Sequence, residues 1–177
     1  MNWEAINAVA AILGAVAVIA TLIYVATQVR HSADQAKSSA QAVRSAAVTD
    51  ATSGMQSIYQ TLGTSADTSR LFFNALVDPD SLSTEDQFQY LMLMHSFFLG
   101  FQRNYFLAEE GTLNEELRDS IGKAIVAINN LPGMDFYWRQ RKSFFQPQFV
   151  EWAENLMAIE TRPEMEVYKE GRDAVSG

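Results

Sequence analysis

Polar and apolar positions divide this chain into three regimes. From Ala5 to Ala26 it reads AINAVAAILGAVAVIATLIYVA, a run of 22 residues without a charged side chain. At the helical rise such a run spans about 33 Å, against a hydrocarbon core of about 30 Å, and it predicts a transmembrane helix. A cleaved signal peptide would open with a positive segment, whereas Glu4 is the one charged side chain ahead of the run. A buried core helix of a soluble protein is disfavoured by the length of the uncharged stretch.

Two faces differ along this segment. Asn7, Ala10, Gly14, Ala17, Thr21, Tyr24 and Gln28 recur at alternating spacings of three and four, a heptad seam of small or polar residues. Ile6, Val9, Leu13, Val16 and Ile23 form an apolar face that suits lipid. Small residues let helix backbones approach, and a buried Asn or Thr can bond across the contact, so the seam predicts an interface in a homo-oligomer. The alternatives are a composition common in membrane helices, with no interface, and a polar seam lining a wet pore, which no ring of charges accompanies.

The second regime, from Gln28 to Gly63, has no Pro, and no Gly before Gly54, so the helix is expected to continue as a stalk. Val29, Ala33, Ala36, Ala40, Val43 and Ala47 again alternate by four and three. An alanine seam buries little area per layer, so it needs a partner, either neighbouring subunits or a later helix of the same chain. His31, beside Arg30, reads as a solvated residue at the membrane edge.

The third regime is a helical domain. Asp78-Pro79-Asp80 marks a break, and Ser83 with Asp86 resembles a capping box that starts a central core helix running to Gly111, with Phe88, Leu91, Met94, Phe98, Phe101, Tyr105 and Phe106 on nearly all sides. Thr112 and Glu115 repeat the spacing and predict a helix to about Asn130, ended by Pro132-Gly133. Two shorter helices follow, the second opening at Gln146-Pro147. No segment alternates like a strand. The expected class is therefore all-α: a transmembrane anchor over 1–28, a stalk over 29–62, a small helical bundle over 63–160 and a polar, fraying tail over 161–177.

Composition narrows the chemistry. The formal charge of −8, from 21 acidic and 13 basic side chains, argues against nucleic acid as a partner. With no Cys there is no disulfide, thiolate site or cysteine nucleophile. Arg30, Lys37 and Arg44 follow the hydrophobic span and no Lys or Arg precedes it, which predicts a cytoplasmic C-terminal bulk and an N-terminus outside.

No catalytic or metal-ligating set is assigned and no cofactor is expected. Glu-x-x-His, GxxxxGK[ST] and GxGxxG spacings do not occur. Glu109, Glu110, Glu115, Glu116 and Asp119 read as ordinary acids at helix ends. His95, on the most apolar helix, is expected to be a core histidine with a hydrogen-bonded partner. The one basic-aromatic cluster, Trp138, Arg139, Arg141 and Lys142, offers contact with an anionic metabolite or lipid headgroups; the competing reading pairs these cations with acids and packs Trp138 in the core.

Asn2-Trp3-Glu4-Ala5-Ile6, then Gly14, Ala15, Ala17, Val18, Thr21, Leu22, Tyr24, Ala26, Gln28 and Arg30, and later Trp138, Arg141, Phe145, Pro147 and Phe149, form a recurring pattern. On these positions the chain resembles a family of bacterial single-pass membrane-anchored helical proteins with no known function. The resemblance implies an anchored helical domain in a bacterial inner membrane. The functional expectation is a non-enzymatic assembly or scaffold protein that self-associates through its transmembrane and stalk helices. A ligand-binding or sensory domain for a small anion, an enzyme built around His95 and an oligomeric pore are the alternatives.

Overall fold

The computed structural model describes residues 2–158, so the expected tail lies outside the described residues. Among the described residues there are six α-helices and no strand: α1 Trp3–Thr64, α2 Ala66–Val77, α3 Thr84–Glu109, α4 Glu115–Ile128, α5 Pro132–Arg141 and α6 Pro147–Met157. Short 3-10 turns cover Pro79–Ser81 and Lys142–Phe144. The helix passes through Gly54 without a break and ends at Thr64, where Ser65 caps α2 by accepting from the Thr68 N–H.

The chain divides into two units between Ser45 and Ala46, within the stretch expected as stalk. In the first unit every described side chain is exposed, so it has no core of its own. Its N-terminal part is long and apolar enough to cross a membrane.

In the second unit the core surrounds α3. Leu91, Met94, Phe98 and Phe101 are buried and Tyr105 and Phe106 half-buried, as the pattern predicts, while Phe88 is 60% exposed. Phe98 is the hub: the rings of Phe101, Tyr137, Trp138, Phe145 and Phe149 lie with centroids 5.0–6.5 Å from its own. Offset and edge-on aromatic pairs at these distances add to an area term of about 1.5–3 kcal/mol for each buried large side chain.

The seam that is exposed from Val29 to Val43 becomes buried at Ala47 and Ala51, and Met55, Ile58 and Leu62 continue it against the core. Asp50 and Arg103 of α3 form an ion pair at 2.9 Å beside it. From Ala47 onward the partner of the stalk seam is thus a later helix of the same chain.

The helix starts follow local chemistry, with one correction. Ser83 caps α3, accepting from the Asp86 N–H at 3.1 Å. Helix α4 starts at Glu115 and is capped by Asn114, whose Oδ1 accepts from Glu116 and Leu117, rather than by Thr112. The Thr112 and Leu113 N–H groups are already committed to the Leu107 carbonyl, closing the end of α3, with Gly111 at φ 69° making the reversal. Pro132 opens α5 as well as ending what precedes it.

Glycines set two close helix contacts. A Cβ on Gly133 would lie 2.6 Å from the Leu76 Cα and closer still to the Ala75 carbonyl oxygen, so α5 rests on the backbone of α2. A Cβ on Gly122 of α4 would meet Leu156 and Trp152 of α6 at 2.8 and 3.2 Å.

Candidate functional site

The seam on α1 is the first candidate. Asn7, Ala10, Gly14, Ala17, Thr21, Tyr24 and Gln28 are all exposed, and nothing lies within 4 Å of where a Gly14 side chain would begin. The Thr21 hydroxyl donates to the Ala17 carbonyl at 2.8 Å, so its proton is spent within the helix and its oxygen is left as an acceptor. Asn7 is the seam residue whose amide can still supply both a donor and an acceptor near the start of the span. His31 is exposed, in accord with a solvated position.

Around α5 the four cluster residues make separate contacts. Trp138 is buried and its indole N–H donates to Glu154 Oε1 at 3.0 Å, and Lys142 Nζ reaches the same oxygen at 3.2 Å. These hydrogen bonds, the indole's first, hold the Glu154 carboxyl below its usual range. The negative partner of Trp138 and Lys142 is therefore a side chain of α6. Arg139 is exposed and donates to the Asp135 carbonyl, and Arg141 lies over the Phe144 ring with its guanidinium carbon 5.2 Å from the centroid.

His95 is half-buried, with Nδ1 3.4 Å from the Tyr137 hydroxyl and the Phe145 ring 5.0 Å away. Burial, and then the nearby Arg141 charge, push its pKa down, which favours the neutral ring as an acceptor for the phenol. The Tyr137 hydroxyl is held protonated by its burial. Tyr90 is likewise buried, its hydroxyl without a hydrogen-bond partner among the described residues and its pKa raised by desolvation. The arrangement is a polar seam inside an aromatic core.

Arg118 is a convergence the pattern of acids did not reveal. Its guanidinium is within 2.8 Å of Asp119, 3.1 Å of Glu109 and 3.8 Å of Glu115, and it lies about 6 Å from the rings of Tyr105 and Trp152. One half-buried cation thus gathers three of the acids read as ordinary helix-end residues.

Two cavities flank the C-terminal part of α1, and neither leaves a sequence signal, because their walls come from helices distant in the chain. One, of about 470 Å³, lies along α3 and is lined by Gly54, Ser57, Thr61, Ser96, Arg103 and Asn104 among others. Asn104 is buried and its Oδ1 has no hydrogen-bond partner among the described residues. The other, of about 520 Å³, lies towards α4 and is walled mainly by Met55, Ile58, Leu62, Phe72, Phe97 and Ala124.

Comparison with protein-family models, curated proteins and solved structures finds no match to this chain.

Proposed function

We propose that this is a membrane-anchored, non-enzymatic assembly protein that associates with copies of itself through the transmembrane seam and the exposed part of the stalk. The carrying observation is that every described side chain from Asn2 to Ser45 is exposed, including the whole small-residue seam. The apolar face finds a solvent in lipid, whereas close packing of a second helix is what an Ala and Gly seam accommodates. On the positive-inside rule, Arg30, Lys37 and Arg44 put the second unit on the cytoplasmic side of a bacterial inner membrane.

The test is the mass of the intact complex in nanodiscs, beside a variant carrying Ala10→Leu and Gly14→Leu. Gly14 has open space around it, so bulk there does not disturb the single chain. A defined oligomer that the double substitution dissolves supports the assembly role. A monomeric wild type rejects it.

A further inference from the structure

We propose that the groove between the C-terminal part of α1 and α4 binds a long-chain carboxylate, with its hydrocarbon chain in the groove and its head at Lys123. The proposal is independent of the self-association reading and concerns the second unit alone. The groove of about 520 Å³ has a floor of α3 aromatics, Phe97, Phe98 and Phe101, and sides from Met55, Ile58 and Leu62 of α1 and Ala124, Ala127 and Ile128 of α4. That volume lies in the range of about 300–1,000 Å³ typical of sites for one small molecule.

The chemistry of the lining selects the occupant. An apolar space gives water few partners, so its walls are stabilised by a hydrocarbon chain rather than by solvent. Polar groups are confined to Tyr59, Ser120 and Lys123, and all three are exposed, which places them at the open side. Among the described residues no carboxylate lies within ion-pair distance of Lys123, in contrast to Lys142 and Arg103, which are paired. One cation on the rim matches one anionic head, and the Ser120 hydroxyl one helical turn away can donate to the same group.

The experiment is equilibrium dialysis of radiolabelled dodecanoate, and separately of dodecanol, against the full chain in nanodiscs, with empty nanodiscs subtracted. Saturable binding of one dodecanoate per chain is expected. Ala124→Trp, which fills the groove, should reduce affinity by at least about tenfold. Lys123→Gln should weaken the carboxylate by about tenfold, the equivalent of losing one charge-assisted bond, and leave the alcohol within about twofold. Ala127→Phe provides a second filled variant, and a melting curve shows whether each retains its fold.

No saturable binding overturns the proposal, as does undiminished binding by both filled variants with the fold intact. Binding that emerges only after removal of residues 159–177 assigns the groove to that tail and also overturns it. A change in the mass of the complex on Ala124→Trp, without loss of dodecanoate binding, assigns the groove to a second copy and rejects the carboxylate.

Discussion

The Glu154 carboxylate joins the Trp138 indole N–H, 3.0 Å away, to the Lys142 ammonium, 3.2 Å away. A buried ring from α5 is thereby tied to a half-exposed acid of α6, and Lys142, one of the three cations that mark this stretch of sequence, finds its counter-charge within the chain. Glu154→Ala leaves the indole N–H without an acceptor, for a cost of about 1–2 kcal/mol in thermal or urea unfolding. Because the folded carboxyl titrates lower than its usual 4.5, its contribution is present above that pH and is lost as pH falls through the lower folded value. The variant should lack that part of the acid dependence.

His95 titrates on the other side of the same logic. Its folded pKa lies below the usual 6.5, so the fold favours the neutral ring; stability is complete above that pH and declines as pH falls through the folded value. In unfolding curves measured between pH 7.5 and 5, His95→Gln should show a shallower decline than wild type. Arg141→Gln removes one of the two causes, and should move the imidazole C–H resonances to a higher midpoint by NMR.

Gly133→Ala is expected to be among the most damaging single-methyl changes in the domain. The added carbon meets the Ala75–Leu76 backbone, which cannot rotate aside as a side chain can. A loss of at least about 3 kcal/mol is expected in chemical denaturation.

Arg118→Met should cost about 2 kcal/mol, since it leaves Glu109, Glu115 and Asp119 without their shared cation and removes the guanidinium from beside Tyr105 and Trp152. Arg118→Lys should recover less than half of the loss. An ammonium cannot present a planar fork to three carboxylates while lying beside two rings. Melting temperatures of the three proteins in one buffer check both statements.

Sequence by itself determined the helical class, the uncharged run long enough for a bilayer and the break at Asp78-Pro79, because periodicity, length and turn chemistry are local properties. It placed the Ser83 cap for the same reason. It misplaced the α4 cap, since Thr112 has the spacing but its N–H is drawn back to Leu107, which only the closure of α3 reveals.

Tertiary structure decided the relationships that join distant positions. It decided that Ala47 and Ala51 are covered by the chain itself while Val29 to Val43 stay exposed. It decided that Glu154 answers Trp138 and Lys142, that Arg118 gathers three acids, and that two grooves flank α1. Each of these depends on which helix faces which, and that is set by the packing of side chains around Phe98, whose partners Tyr137, Trp138, Phe145 and Phe149 lie dozens of residues away in the chain.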